Sequence, residues 1–355
     1  MMMDFSFRLL GEIARWQSLT VKRAFFDVGS FRLVTDNTGS AAALARGMLL
    51  FFPDEQKKML LVEKTSRKRG VLTADGWMLK GLAKRRLCVP PSIPVEADQY
   101  QAFGWDRFTG SAEGAYLHYA ANNLTAPEDG KRAIPGLVLA ENLGRGPVLP
   151  WQARFDKLNE VFESIGEGTG LGWDIWPDFS ARQFVFGAWE GVDRTTGLKR
   201  AVLSPQMGNV DEYTLTDDGS NEVSTVYAGG AGEDENRLIL GIGTDAAGLG
   251  RREGWADVSG VSDVDMLRLG AKKKLSPAKL TLSVEVRETG LCRYGRDYDV
   301  GDLVVVAADG WQMNARLTAM EEAHERGART LRATLGDAPV TFTGLLRENQ
   351  RQTVR

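Results

Sequence analysis

Histidine and cysteine are nearly missing, with two of each in 355 residues. His118, His324, Cys88 and Cys292 lie far apart, so no spacing matches a zinc site built from paired cysteines or histidines. Two cysteines supply no disulfide framework, and both read as small buried hydrophobes of a chain made in a reducing compartment. Long apolar runs are missing too. The longest, residues 48–53 and 303–308, fall far short of the about 18 residues that mark a membrane-spanning helix. Asp4, Arg8, Glu12 and Arg15 interrupt the N-terminus before any signal-peptide core. Neither sign of charge prevails: 44 Lys and Arg against 47 Asp and Glu leave −3, which excludes a bulk polycation that holds nucleic acid by charge alone.

Glycine and tryptophan are plentiful, at 40 and 9 residues, and point to many turns and packed aromatics. Residues 5–9 and 31–35 alternate apolar and polar, the period of a half-buried strand, and 48–52 form a continuous apolar run. Residues 58–65 and 70–74 are expected to pair across the basic turn 66–70, and 40–46 to form a short helix. Three prolines in 88–94 forbid helix and central strand and mark a boundary. Beyond it the pattern is helical over 110–123 and 151–165, where Phe155, Leu158, Val161, Phe162 and Ile165 make one stripe. Strands follow at 172–176 and 182–189, a helix at 262–274, and strands at 279–287, 302–307, 314–320 and 330–334. The expected class is α+β, mainly β. The expected divisions are 1–90, a mixed helix and strand insert 91–197, a strand-rich region 198–275, residues 276–340, and a polar tail 341–355.

The small net charge hides a division. Residues 57–86 hold ten Lys or Arg against Glu63 and Asp75, a net of +8, while 210–265 hold thirteen acids against Arg237, Arg251 and Arg252, a net of −10. Two solvated faces are one reading, and complementary surfaces that meet between subunits are the other. Nucleic-acid binding fits less well, since Trp77 alone interleaves the basic stretch.

Enzymatic chemistry finds little to use. His118 sits mid-helix among aromatics and reads as a packing residue, and His324 as solvated. No Gly-x-Ser-x-Gly elbow is present. The glycine runs 166–172 and 241–250 read as turns: the first follows a helix, and the second lacks a phosphate-loop lysine. A carbohydrate-active protein, hydrolase or host-glycan binder, is the alternative, with Trp173, Asp174, Trp176, Asp178, Trp189 and Glu190 as its residue types. The same alternation also fits cross-strand packing. No catalytic, metal or cofactor residue is assigned.

A series of blocks, in order, resembles the tail baseplate hub family of long-tailed bacteriophages and prophages. It runs through Asp75-Gly76-Trp77 to Arg86, Ile134-Pro135-Gly136-Leu137, Gly170-Leu171-Gly172-Trp173 and Trp189-Glu190-Gly191-Val192-Asp193-Arg194-Thr195. It continues through Leu203 to Asn209, Tyr227 to Gly232, Gly250-Arg251-Arg252-Glu253, Arg316-Leu317-Thr318 and Leu335-Gly336-Asp337. The most telling block holds Tyr294, Gly295, Asp297, Tyr298, Asp299, Gly301 and Asp302, a turn before the apolar strand 303–306. The series covers residues 30–340, and the first thirty residues match least.

The resemblance implies a structural virion protein of the tail tip, related to the hubs of contractile tails and type VI secretion spikes. It implies two small β-barrels per chain, at 1–90 and 276–340, and a homotrimeric ring on the tail tube. The partners it implies are the tube or distal tail protein and spike or fibre proteins, with DNA passing through without specific binding and no membrane. Acidic loops of 210–265 would line that channel. No enzyme or cofactor is implied. The chain stops soon after Asp337, so cell-wall cleavage and host binding would fall to another protein. Synthesis would be in the host cytoplasm.

Overall fold

Period-two alternation builds the largest sheet. The structure, a computed structural model, describes residues 1–336 apart from positions 97, 98, 103, 273, 291 and 326. Its first strands are β1 (Met2–Met3), β2 (Leu9–Gly11), β3 (Ser18–Ala24), β4 (Ser30–Asp36), β5 (Leu49–Phe52), β6 (Glu55–Lys68) and β7 (Val71–Met78). In β7, Leu72, Ala74, Gly76 and Met78 are buried and their neighbours half-buried, as a pleated strand over a core requires. β6 and β7 form the expected hairpin across the basic turn. Arg69 (φ 51°) and Gly70 (φ 79°) take the paired left-handed conformation of a two-residue turn. The helix expected at 40–46 is a 3-10 turn, Gly39–Ala43.

The insert contains β8 (Ser92–Glu96), β9 (Gln99–Ala102), β10 (Asp106–Ser111), α1 (Ala112–Ala120), β11 (Leu137–Leu139), β12 (Val148–Ala153), α2 (Leu158–Thr169), β13 (Gly172–Asp178) and β14 (Gln183–Trp189). Ser111 caps α1 by accepting the Gly114 N–H. The helix expected from residue 151 begins at Leu158 instead. Trp151 to Ala153 finish a strand paired with β10, and Phe155 is exposed in a left-handed conformation (φ 55°). Phe155 therefore leaves the stripe, and Leu158, Phe162 and Ile165 form the buried face of α2. β13 pairs antiparallel with β14, and β11 runs parallel to it.

The remaining elements are β15 (Val202–Leu203), β16 (Val210–Asp218), β17 (Thr225–Gly229), β18 (Ile239–Gly243), β19 (Glu253–Asp257), α3 (Val264–Lys272), β20 (Lys279–Val286), β21 (Leu303–Ala308), β22 (Trp311–Glu325) and β23 (Ala328–Leu335). β22 is the organising strand. It pairs with β21, with β23 and, along residues 319–325, with β3. The sheet thus runs β23-β22-β3-β4-β7-β6-β5-β1-β2. The chain is mainly β, and this strand path does not close into a barrel among the described residues.

Two compact units emerge. The first joins residues 1–212 to 284–335, and the second holds 213–283. In the second, Leu267 and Ala271 of α3 cluster with Val226, Ala228 and Ala256 of the β18-β17-β19 sheet. No helix of the described residues is long and apolar enough to cross a membrane. Residues 341–355 and Asp337 lie outside the described residues.

Candidate functional site

The turn from Tyr294 to Asp302 precedes β21, and each residue singled out in it has a structural task. Gly295 donates its N–H to Tyr298 O at 2.8 Å, closing the loop. Asp297 secures the loop from outside, accepting the Arg293 N–H at 2.8 Å and two bonds from the Arg296 guanidinium at 3.0 and 2.6 Å. The Arg296 guanidinium and the Arg293 N–H hold the Asp297 carboxyl below its ordinary pKa. Tyr294 and Tyr298 are buried with ring centres 5.9 Å apart, and burial pushes both phenols above their ordinary range.

Asp299 and Asp302 carry the turn's long-range contacts. Asp299 Oδ1 accepts from Arg23 Nη1 at 2.6 Å, and the same nitrogen donates to Tyr294 Oη at 2.9 Å. Burial opposes the Arg23 charge, yet Tyr294, Asp299 and Asp174 together raise its pKa above the ordinary value. Asp302 accepts from the Val192 N–H (2.8 Å), Arg194 Nε (3.2 Å) and the Asp299 N–H (3.1 Å). Gly301 donates to Leu317 O at 2.7 Å, and its carbonyl accepts from Arg316 Nη1 at 2.8 Å. Its φ of 97° and a Phe25 ring 2.5 Å from where a Cβ would sit leave room for glycine alone. Gly191 crosses so close that its own Cβ would overlap Gly301 O. Three blocks distant in sequence, 189–195, 294–302 and 316–318, therefore meet at one place.

Beside the turn lies a cleft of about 810 Å³, whose lining includes Arg23, Glu55, Lys58, Tyr294, Asp299 and Arg329. Buried Lys58 is paired with Glu322 and Glu55, and Arg329 Nη2 reaches Glu322 at 2.7 Å. Burial works against the Glu322 charge, but Lys58 and Arg329 outweigh it and lower its pKa. Sequence reasoning missed Arg23, Lys58, Glu322 and Arg329. For Glu322 a signal existed, since it takes the inward place two residues after buried Met320. Lys58 and Lys80 counted as part of a basic face, but both are interior. Lys80 Nζ donates to Ala24 O (2.7 Å), Phe25 O (3.3 Å) and Trp173 O (3.1 Å).

His118 Nε2 sits 2.7 Å from Asp106 Oδ1 and its ring stacks on Phe108 at 4.8 Å. Burial raises the Cys292 thiol to about 11. Among the described residues no three His, Cys, Asp or Glu side chains gather as metal ligands. In the aromatic and acidic neighbourhood of β13 and β14, Trp173 is 0% exposed and donates its indole N–H to Phe26 O at 2.6 Å, Asp174 is buried, and Trp189 stacks on Phe25, while Trp176 and Asp178 are half-buried and Glu190 is exposed. A sugar cannot reach Trp173 without unfolding the core, so the carbohydrate alternative loses one of its three tryptophans.

The fold is that of phage tail proteins of known structure. A tail protein from Neisseria meningitidis superposes over 93% of this chain and 95% of its own, with a TM-score of 0.52 and 17% identity. The 43 kDa tail protein of prophage MuSo2 from Shewanella oneidensis does so over 91% and 94%, with a TM-score of 0.54 and 12% identity. The E. coli c3393 protein, a component of the type VI secretion system, aligns over 93% of this chain and 76% of its own at 0.43 and 8%. No curated protein matches the chain. The Siphovirus ReqiPepy6 Gp37-like family matches residues 1–337, and the chain belongs to that family. The match includes the first thirty residues, where the sequence resemblance was weakest.

Proposed function

We propose that the protein is a non-enzymatic structural component of a phage tail tip, a baseplate hub that self-associates into a homotrimeric ring. The ring joins the tail tube or distal tail protein to spike or fibre proteins and lets DNA pass without specific binding. The observation that carries this reading is the likeness to two phage tail proteins over more than nine tenths of each chain. The Tyr294 to Asp302 turn supports it as a fold-locking element: through Asp302 and Arg23 it ties the 189–195 loop and the N-terminal strand β3 to the C-terminal strands. In the hub reading, residues 1–90 and 276–340 each contribute barrel strands, and 91–275 lie between them.

The test is twofold. Light scattering on the purified chain should give three times the chain mass, and immunogold labelling should mark one end of the tail. A strict monomer refutes the ring, and release of sugar from cell walls refutes the non-enzymatic role.

A further inference from the structure

We propose that the solvent face of the β18-β17-β19 sheet docks the β6–β7 hairpin tip of a second copy of this chain, so that copies join head to tail. The proposal rests on the self-assembly reading above and names the surfaces that perform it.

The sheet has one face against α3 and one open. On the open face Tyr227, Ile239 and Trp255 are 38%, 50% and 49% exposed. Tyr227 and Trp255 are register partners on β17 and β19. Their rings lie down over glycines: a Cβ at Gly229 would meet the Trp255 ring at 2.6 Å, and one at Gly241 the Tyr227 ring at 3.3 Å. The aromatics thereby pave the face. Arg251 donates to Tyr227 Oη at 2.9 Å, and Arg237 lies 5.4 Å over the Trp255 ring. Glu253 (2.6 Å) and Asp257 (2.5 Å) neutralise these two arginines. Tryptophan, tyrosine and arginine are the residues that carry most binding energy where proteins meet.

The rim decides the sign of the partner. The turn between β17 and β18 carries Glu233, Asp234 and Glu235, all exposed and none in an ion pair among the described residues. A basic occupant is required, and the chain carries one. At the β6–β7 tip Lys64, Lys68 and Arg69 are exposed, again without an ion-pair partner among the described residues. Arg67 holds the tip in place by donating to Leu44 O (2.6 Å), Ala42 O (3.2 Å) and Asn37 Oδ1 (3.2 Å). A pre-formed tip loses little freedom on docking, and opposite charge fixes its register. Two different patches meeting in this way make a heterologous contact, which closes into a ring when the rotation allows. The acids of the turn would then lie in a subunit contact rather than along a DNA path.

A charge-swap experiment on the full chain tests this. Mass in solution is measured for the wild type, for Lys68→Glu with Arg69→Glu, and for Glu233→Lys with Glu235→Lys, with circular dichroism as the check on folding. The wild type should assemble, and less at 1 M salt, where charges more than about 3 Å apart are screened. Each double variant alone should be monomeric. Combined in one chain, the four substitutions should restore assembly, because every acidic tip then faces a basic rim around the ring. If both variants keep the wild-type mass, the contact is wrong and the self-assembly reading stands. If the wild type itself is monomeric at its highest soluble concentration, both fall. If the fourfold variant stays monomeric while folded and the wild type assembles, the pairing of these two patches is overturned.

Discussion

Replacing Lys80 by methionine should change how the stability of the first unit depends on pH. Lys80 is buried in the 3-10 turn Leu79–Arg85, with its ammonium bonded to three carbonyls and 4.8 Å from the Trp173 ring. Burial lowers its pKa to about 8, against about 10.4 in an unfolded chain. Between those values the unfolded chain binds the extra proton, so the Lys80 contribution to stability rises with pH. Below pH 8 both states are charged and the penalty is constant. The gap is worth about 3 kcal/mol at about 1.4 kcal/mol per unit. Tyr294, Tyr298 and Cys292, whose pKa values are raised by burial, act in the opposite direction from about pH 9 upward, because the unfolded chain loses those protons first. The readout is therefore the difference between wild type and Lys80→Met, in which those groups cancel. Urea unfolding followed by tryptophan fluorescence should show the wild type gaining about 3 kcal/mol on the variant from pH 7.5 to pH 10.4. Parallel curves, constant to within about 0.5 kcal/mol, would refute a buried charged lysine.

Three further outcomes are expected. Gly301→Ala forces a left-handed alanine against the Phe25 ring and should cost about 3 kcal/mol or more, read as a fall in Tm; an unchanged Tm contradicts the close packing. Asp302→Ala leaves the Val192 N–H and the Arg194 guanidinium without their acceptor and should cost about 2–4 kcal/mol in urea unfolding, with Asp302→Asn recovering part of it. Glu322 has a lowered pKa in the folded chain, so its stabilisation is present above about pH 4.3 and lost as pH falls through the folded value. Glu322→Gln should flatten that acid limb of a stability–pH curve, and an identical limb would mean the carboxylate is not held by Lys58 and Arg329.

Local pattern carried many of the strands, because a sheet over a core writes itself as alternation: the β6–β7 hairpin lies where the sequence places it, whereas residues 5–9 alternate too, yet Phe7 is left-handed (φ 59°) and the strand there begins only at Leu9. The stripe of α2 was equally visible, but its start was not, since a left-handed Phe155 has no signature in apolar spacing. The turn at 294–302 was readable from its glycines and aspartates. Its partners were not, because Arg23 meets Asp299 across 276 residues and Lys58 meets Glu322 across 264. Composition alone sends lysine to the surface, and only tertiary pairing brought Lys58 and Lys80 inside. Tryptophans on β13 looked like a sugar platform for the same reason: a ring's residue type is visible in sequence, its burial is not.

The pairing of β3 with β22 has a consequence for how the chain is made. At about 5–20 residues per second, the 276 residues between Arg23 and Asp299 take roughly 15 to 55 s to synthesise. During that interval β3 is an edge strand, with Arg23 waiting for a carboxylate, Asp299, that does not yet exist. An open edge invites pairing with another chain, and lysine or arginine on it discourages that. Arg23, which ends buried, thus serves first as a guard on the nascent sheet, and the strand that covers its edge, β22, arrives among the last of the described residues.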